Sequence, residues 1–479
     1  MSNTKSQHLI WRAAFGSNLQ FLNEDTSTQS LFKKLEKDSS ISPAYINVAD
    51  DTLLQYYDDS GNYRIKDLKE EDRKMFMRLQ RKAINQLNMA WLKEMIQSPA
   101  QLREKMAFFW HGHFACRSTN LFFNQLLLQV IRKNAIGNFG TLLKEVSQSA
   151  AMLQFLNNQQ NKKNAPNENF AREVMELFTL GRGYYSEKDI KEGARAFTGW
   201  TANAKGEFVF RKNNHDTGSK TFLGKTGNFT GDDVLDIILN QRQTAKFITT
   251  KIYTYFVNEV PNTAQIDKLS KRFYESNYDI NALLKDIYTS SWFYDSSNMG
   301  TKIKSPIELI VGIQRMFPTP MKNELLLNYE KILGQQLFYP PNVAGWPGGK
   351  TWIDSTTLMA RMRLPKILFN EDIMNLQAKA DDDQLMGRKN DGAEDIPSLK
   401  RNKKNEKNPK EIPEKWNDFL NTFSNTPRDV LFTEMSKTLL QLPLKTPKEV
   451  LSYVNQSSKD AFIKSAAIQI MSTPEYQMC

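Results

Sequence analysis

Histidine is scarce in this chain, and two of the four histidines stand only two residues apart. His111 and His113 flank Gly112 within an aromatic run, FFWHGHF. On an extended backbone alternate side chains point the same way, so the two imidazoles could bind one cation. The alternative is that both rings pack among the aromatic residues and hydrogen-bond to the backbone. The spacing leaves both interpretations open.

Two glutamates form a second group that could do chemistry. In the segment NENFAREVMELF, a helix would place Glu173 and Glu176 together along the edge of an apolar stripe. Like charges beside a buried stripe repel each other, and each resists desolvation. Such a pair is tolerable if a cation, a proton or an arginine lies between them. The structural alternative is neutralisation by Arg172 or Arg195; the functional one is a metal ligand or a general acid with a raised pKa.

Two loops carry the remaining candidates. His215 and Asp216 are adjacent in a turn, where they could be metal ligands or an acid/base dyad, although Asp216 could simply cap the backbone. The segment YPPNVAGWPGGKTW, residues 339–352, could either line a pocket that holds a sugar ring or act as a rigid strap between helices. The candidate substrate-binding residues are Asn167, Arg172, Arg195, Asn342, Trp346 and Trp352.

The elements that must position these residues are mostly helices. Apolar spacing and capping signals predict a mainly α, multi-helix bundle with one small inserted β-hairpin at about residues 200–224. Serines open three of the predicted helices in apparent capping boxes, at Ser98, Ser186 and Ser305. Strand-like alternation at 207–211, after a turn at 204–206, is expected to pair with residues 220–223. A single helix is expected over residues 141–156.

Composition suggests four regions. We expect an N-terminal helical part at 1–160, a central helical part with the hairpin at 161–375, a mobile polar insertion at 376–415, and C-terminal helices at 416–479 that pack back on the body. The insertion is predicted because this stretch holds almost no large apolar side chains. Its run at 400–410 holds six basic residues against one acid, but no interleaved aromatic residues and no groove-reading motif accompany it, so a nucleic-acid partner is disfavoured.

Several chemistries are excluded by spacing. Two cysteines cannot form a disulfide scaffold or a cysteine-based zinc module. The glycines at 218 and 224 lie too far apart for a phosphate-binding loop, and GxGxxG, HExxH and GxSxG are absent, so no nucleotide cofactor is expected. We also expect no membrane span, because the longest apolar run is far too short. Without a secretory signal at the N-terminus, a cytoplasmic location is expected, with export alongside a partner as the alternative.

Five separated motifs give the chain a specific resemblance. They are HLIWRAAFG at 8–16, FWHGHF at 109–114, NENFAREVMELFTLGRGYYSEKDIKEGARAFTGW at 167–200, the His-Asp turn, and LGQQLFYPPNVAGWPGGKTW at 333–352. Together they resemble the bacterial domain-of-unknown-function family 1800 over nearly the whole chain. Members of that family are often encoded beside family 1501, which resembles sulfatases and phosphatases. The resemblance therefore implies a sulfatase-like partner and a surface or environmental glycan.

The leading hypothesis is a metal-dependent enzyme, hydrolytic or oxidative, that acts on a polar, glycan-like substrate. In it, His111, His113 and His215 bind a divalent cation (zinc, iron or manganese) near Glu173, Glu176 and Asp216 as the catalytic carboxylates. The alternative is a non-catalytic helical protein that binds a glycan or a partner. A third hypothesis is a metal-free acid/base enzyme that uses Glu173 and Glu176.

Overall fold

A computed structural model of the chain describes residues 4–18, 27–57, 68–318, 323–369 and 416–479. The polar insertion predicted at 376–415 lies outside the described residues. The chain divides into two compact units, which are Met1–Leu31 with Tyr294–Gln336 and Pro347–Cys479, and Phe32–Phe293 with Leu337–Trp346. The boundary predicted near residue 160 therefore falls inside the second unit. The C-terminal helices belong to the same unit as the N-terminal helix.

The prediction of a mainly α fold is confirmed. In the first half of the chain, apolar residues at helical spacing form the buried face of each long helix, and the intervening turns carry Gly, Pro, Ser and Asn. The helices of this half are Thr4–Ala13, Thr28–Ser39, Asp51–Leu54, Glu70–Gln97, Gln101–His113, Leu121–Asn134, Phe139–Ser147, Ala150–Phe155, Asn169–Glu173 and Glu187–Ala196.

The second half continues the same pattern. Its helices are Gly231–Leu239, Arg242–Phe256, Thr263–Glu275, Ile280–Tyr288, Pro306–Met316, Asn323–Ile332, Ser355–Leu368, Trp416–Thr422, Arg428–Leu439, Pro447–Ser452 and Lys459–Met471. Short 3₁₀ turns occur at Asn158–Gln160, Lys212–Asn214, Ser291–Tyr294, Gly349–Trp352 and Glu475–Gln477. Among the described residues, no helix combines the length and the apolar character that a membrane crossing requires.

Two of the three predicted capping boxes are confirmed. The side chains of Ser186 and Ser305 each accept a hydrogen bond from the backbone amide three residues later. The side chain of that later residue accepts a hydrogen bond from the backbone amide of the serine. At Ser98 the prediction was wrong. Ser98 ends the preceding helix, and the side chain of Gln101 donates to the Ser98 carbonyl at 2.8 Å, so the next helix begins at Gln101 without a capping box.

The helix predicted over 141–156 is in fact two helices. Phe139–Ser147 ends, and Ser149 then caps Ala150–Phe155 by accepting a hydrogen bond from the amide of Met152. A serine that accepts from the backbone two or three residues later favours a new helix start over continuation. The apolar period runs through this break, so spacing alone did not reveal it.

The inserted β structure consists of two hairpins, so the predicted pairing was wrong. Trp200–Ala202 pairs antiparallel with Phe208–Phe210 across the turn that contains Gly206, whose φ is +86°. Lys220–Phe222 pairs instead with Lys225–Gly227. Each strand thus finds its partner across the nearest tight turn, which costs less loop-closure entropy than pairing over a longer loop.

A buried charge network joins three helices in the core of the second unit. Glu104, fully buried, accepts from the indole of Trp91 at 3.0 Å and from Nη2 of Arg132 at 2.9 Å. Arg103 is the third residue that donates to the same carboxylate, at 3.3 Å. A buried carboxylate is stable only when its oxygens are saturated in this way. The network ties the helix Gln101–His113, which carries two of the predicted site residues, to its two neighbours.

Candidate functional site

The acidic pair predicted from the NENFAREVMELF segment lies where an α-helix changes into a π-helix. Asn169–Glu173 is α-helical, and Val174–Thr179 follows as one π-helical segment. The amide of Leu180 donates to the carbonyl of Met175 at 2.8 Å, and Thr179 Oγ1 donates to the carbonyl of Val174 at 2.6 Å. Segments of π-helix are rare and occur frequently at functional sites.

Glu176 is held as a carboxylate. Tyr185 donates to its Oε2 at 2.7 Å, and the guanidinium of Arg182 donates to its Oε1. The hydrogen bond from Tyr185, followed by that from Arg182, keeps the pKa of Glu176 below its ordinary value. Burial and the bond to Glu176 raise the pKa of Tyr185, so the phenol keeps its proton. The charge at Glu176 is therefore fixed by two donors.

Glu173 has the opposite environment. Its side chain is half-buried, and within the described part of the chain no donor hydrogen-bonds to its carboxylate. Burial, followed by the negative charge of Glu176, raises the pKa of Glu173 above its ordinary value. Two neighbouring carboxyl groups thus have pKa values that are shifted in opposite directions.

Arg172 does not neutralise this pair by direct contact. Both of its terminal nitrogens donate to Glu187, each at 2.9 Å, and one also lies 3.4 Å from Glu168. Arg172 is therefore not placed between the two glutamates, and the arginine that pairs with Glu176 is Arg182. Arg172 instead ties this helix to the start of the helix Glu187–Ala196, and its role as a substrate-binding residue stays a prediction.

The asparagines before the helix order the chain that enters it. Asn167 Oδ1 accepts from the amide of Asn169 at 3.0 Å, while the amide of Asn167 donates to Asn161 Oδ1 at 2.9 Å. Asn169 Nδ2 donates to the carbonyl of Leu156 at 3.2 Å. Asn167 therefore has a clear local structural role, and its predicted contact with a substrate is untested.

Arg195 and Asp216 form a partly buried ion pair. The guanidinium donates to both oxygens of Asp216, at 2.7 and 3.1 Å, and also to Glu192 at 3.0 Å. Arg195 is the main reason that the pKa of Asp216 lies below its ordinary value. The Asp216 Oδ1 also accepts from the amide of Gly218 at 2.8 Å. The contacts fit the predicted backbone-capping role of Asp216 and leave its catalytic role untested.

His215 is oriented by a backbone carbonyl. Its Nδ1 lies 3.0 Å from the carbonyl oxygen of Thr198, which can only accept, so Nδ1 carries the hydrogen of the neutral ring. Burial lowers the pKa of His215. The ring packs edge-on against Phe210, with centroids 5.1 Å apart. The remaining ring nitrogen, Nε2, is the atom that could act as a base or a metal ligand.

His111 and His113 do not meet the condition for sharing a cation. The helix continues through Gly112 to His113, and residues two apart on a helix point to different sides. His111 Nε2 accepts from the amide of Phe338 at 3.2 Å. His113 Nε2 lies 3.1 Å from the carbonyl oxygen of Phe178. The alternative interpretation, packed rings that are hydrogen-bonded to backbone, describes both histidines.

Both imidazoles are neutral for the same physical reason. Burial lowers the pKa of His111 to about 3, and burial with the nearby charge of Lys251 lowers that of His113 to about 3. Throughout the described residues, no group of three or more His, Cys, Asp or Glu side chains could hold a metal ion. Within the described residues, the three histidines and the carboxylates therefore do not come together in one metal site. Binding of zinc, iron or manganese stays a prediction.

The loop 339–352 was predicted to line a pocket with its tryptophan rings, and only one of its two tryptophans is partly exposed. Trp346 is half-buried, with its ring centroid 5.4 Å from that of His111. Asn342 is exposed, and its Oδ1 accepts from the amide of Ala344 at 2.9 Å. Trp352 lies in the other unit and is only 6% exposed, so its face is not available for stacking.

Sequence reasoning missed the residues that hold Glu176. Arg182 and Tyr185 follow the π-helix in a glycine-rich turn, where Gly181 and Gly183 have φ values of +81° and +87°. This turn reverses the chain and returns both side chains to Glu176. The signal that could have revealed them is the GRGYY run directly after the predicted helix.

Comparison with known proteins gives one match. The family model described as "Protein of unknown function (DUF1800)" matches residues 8–478. No curated protein and no solved structure matches the chain. The match extends over nearly the whole chain, in agreement with the resemblance carried by the five sequence motifs. The chain therefore belongs to the DUF1800 family.

Proposed function

We propose that this protein is an acid/base enzyme that hydrolyses a bond in a polar, hydroxyl-rich substrate, with Glu173 as the proton donor and Glu176 as a permanent carboxylate. One observation supports this assignment above all: the two neighbouring glutamates have environments that shift their pKa values in opposite directions. Divergent environments of this kind are what separate an acid from an anionic partner in known active sites.

The roles follow from the contacts. A raised pKa favours the role of general acid, and the group must also be reachable by the leaving group. The pKa of Glu173 is raised, and within the described residues no donor hydrogen-bonds to its carboxylate. Glu176, saturated by Tyr185 and Arg182, would keep its charge while positive charge develops on the substrate. The junction between the α-helix and the π-helix would position both groups on one short segment.

A metal-dependent form of the proposal uses the same residues. The carboxylate of Glu173 has no described donor, so it could instead contribute an oxygen ligand to a divalent cation, as the sequence hypothesis holds. Removal of metal separates the two forms. The acid/base enzyme would keep its activity in a chelator, whereas the metal-dependent enzyme would lose activity and regain it when zinc, iron or manganese is added back.

Purified protein, prepared without a metal-affinity column, would be assayed on chromogenic 4-nitrophenyl glycosides and esters and on polysaccharides, with release of reducing ends as the readout. We expect Glu173→Gln to lower kcat by about 10²–10⁴-fold, the usual contribution of a general acid. Glu168→Gln is the matched control, because Arg172 keeps its two bonds to Glu187 without Glu168. Full activity in both Glu173→Gln and Glu176→Gln would overturn the proposal.

A further inference from the structure

The turn that follows the π-helix presents an aromatic ring to solvent. Tyr184 is 56% exposed, and within the described residues its ring contacts no other ring and its hydroxyl forms no hydrogen bond. Single exposed aromatic residues are common on protein surfaces, so exposure alone does not indicate a binding site. The position of this one does, because Arg182 and Tyr185, which stand on either side of it in the turn, both bind the carboxylate of Glu176.

The turn is anchored at both of its ends. At its start, Gln243 Nε2 donates to the carbonyl of Leu180 at 2.9 Å, and a Cβ built at Gly181 would lie 3.0 Å from the ring of Phe247. At its end, Ser186 opens the next helix in a capping box. A binding group on an anchored turn loses less conformational entropy when a ligand binds.

Gly183 leaves the backbone beside Tyr184 open. Its φ is +87°, and no atom of the described residues lies within 4 Å of a Cβ built there. A glycine at such a position lets a ligand approach the backbone closely. Arg182, Gly183 and Tyr184 are all exposed. These three consecutive residues therefore form one accessible surface, which we call the Arg182–Tyr184 turn.

Arg182 has hydrogen-bond donors available to a ligand. Its Nε donates to Glu176 Oε1, and its side chain is 86% exposed. Across the described part of the chain, no acceptor hydrogen-bonds to its two terminal NH₂ groups. The contact through Nε holds the guanidinium in place, so the outer edge of the planar fork is offered in a defined position. Such an edge can donate to two neighbouring oxygen atoms at once.

The charges around the turn favour a neutral ligand over an anionic one. The charge of Arg182 is paired with Glu176. Lys246, whose charge acts on the hydroxyl of Tyr184, is paired with Asp267 at 2.8 Å. Because both cations are compensated, an anion would gain little electrostatic attraction at this surface. The turn is therefore suited to a ligand that is recognised by hydroxyl groups and an apolar face.

We propose that the Arg182–Tyr184 turn binds a neutral pyranose unit of an oligosaccharide. The C–H face of the sugar would stack on the ring of Tyr184, and two of its hydroxyl oxygens would accept from the NH₂ groups of Arg182. The face of an aromatic ring is negative and the C–H groups of a sugar are slightly positive, so the two surfaces attract each other. The inference rests on the proposed hydrolytic function and names its substrate class, because Arg182 also binds Glu176 and so places this sugar beside the acidic pair.

The test is binding of neutral hexasaccharides, measured by isothermal titration calorimetry on Glu173→Gln protein so that hydrolysis does not consume the ligand. The probes are cellohexaose, maltohexaose, xylohexaose and mannohexaose, with hexagalacturonate as the anionic comparison. We expect at least one neutral probe to bind and hexagalacturonate to bind at least about tenfold more weakly. The affinity for the neutral probe should not change as salt rises, because no charge is paired on binding.

Matched variants in the same Glu173→Gln background locate the site. Tyr184→Ala should weaken binding at least about tenfold, because the stacking surface is lost. Tyr184→Phe keeps the ring and should bind within about twofold of the parent. Tyr453→Ala removes a tyrosine that is 74% exposed in the other unit, and it should also stay within about twofold. Arg182→Lys keeps a cation for Glu176 without the planar fork and should give an intermediate loss.

Kinetics separate a binding role of Tyr184 from a structural one. On a polysaccharide built from the bound sugar, Tyr184→Ala in the otherwise unchanged protein should raise KM at least about tenfold and change kcat by less than about threefold. A group that binds the ground state and the transition state equally has this signature. A fall in kcat as large as that of Glu173→Gln would contradict the binding role.

Three outcomes would overturn the inference. They are equal affinity in Tyr184→Ala and Tyr453→Ala, binding by Tyr184→Phe as weak as by Tyr184→Ala, and no neutral probe that binds more tightly than hexagalacturonate. Failure of the hydrolytic proposal gives a different result. Tyr184-dependent binding without cleavage of any probe by the wild type would support this inference and count against hydrolysis. Cleavage that is lost in Glu173→Gln but unchanged in Tyr184→Ala would do the reverse.

Discussion

A methyl group added at Gly345 tests how tightly the loop that carries Tyr339 and Trp346 is anchored. Gly345 has φ +83°, and a Cβ there would lie 2.4 Å from the carbonyl oxygen of Gly112 and 3.5 Å from the Cβ of Ala115. Because carbon–oxygen contacts are normally about 3.3 Å or longer, the loop would have to move by about 1 Å. The left-handed backbone costs a further 1–2 kcal/mol, roughly, for any residue with a Cβ.

From these two terms we expect Gly345→Ala to lower the free energy of unfolding by about 2–4 kcal/mol. The assay is urea unfolding followed by tryptophan fluorescence, in which the midpoint should fall while the slope stays constant.

Gly348→Ala is the matched control for this substitution. Gly348 lies three residues further along, its φ is −112°, and no atom of the described residues lies within 4 Å of a Cβ built there. Its replacement should change the free energy of unfolding by no more than about 0.5 kcal/mol. Equal effects of the two substitutions, or a neutral Gly345→Ala, would refute the view that the loop is anchored at Gly112.

Three further predictions concern charge. Glu104→Ala leaves the buried Arg132 without its main partner, and urea unfolding should show a loss of about 3–5 kcal/mol; a loss below about 1 kcal/mol would contradict the network. Glu173→Gln removes a carboxyl group whose pKa is raised partly by repulsion from Glu176, so the free energy of unfolding at pH 7 should rise by about 0.5 kcal/mol. A clear fall in the free energy of unfolding would count against that repulsion. Burial lowers the folded-state pKa of His111 from 6.5 to about 3, so its contribution to stability is complete above pH 6.5 and is lost as the pH falls toward 3. The free energy of unfolding, measured by urea titration between pH 7.5 and 4, should therefore depend less on pH in His111→Gln than in the wild type. An unchanged pH dependence would contradict this prediction.

Helix positions could be predicted from the sequence where a local signal decides them. Ser186 and Ser305 open helices because their side chains and the residues three positions on satisfy each other within one turn. Ser98 carries the same signal, but the side chain of Gln101 donates to its carbonyl and the serine ends a helix instead. Two local structures compete for the same residues there, and the pattern alone does not rank them.

Within the candidate site, only residues on the same helix could be predicted to be neighbours. Spacing along the apolar stripe placed Glu173 beside Glu176, which the structure bears out through their electrostatic interaction. The donors from Tyr185 and Arg182 depend on a reversal of the chain after a π-helix, and no local rule predicts a π-helix. The histidine pair was misleading for a related reason, because helix continues through Gly112 despite the glycine.

The central claim, that the pKa of Glu173 is raised beside a Glu176 whose charge is fixed by two donors, can be measured without a substrate. Glutamate carboxyl ¹³C signals would be followed by NMR from pH 2.5 to 8, with Glu173→Gln and Glu176→Gln used to assign the two resonances. The account predicts a pKa for Glu173 above the ordinary glutamate value of about 4.3 and a pKa for Glu176 below it. In Glu176→Gln, the pKa of Glu173 should fall. A Glu173 pKa at or below the ordinary value would contradict the account.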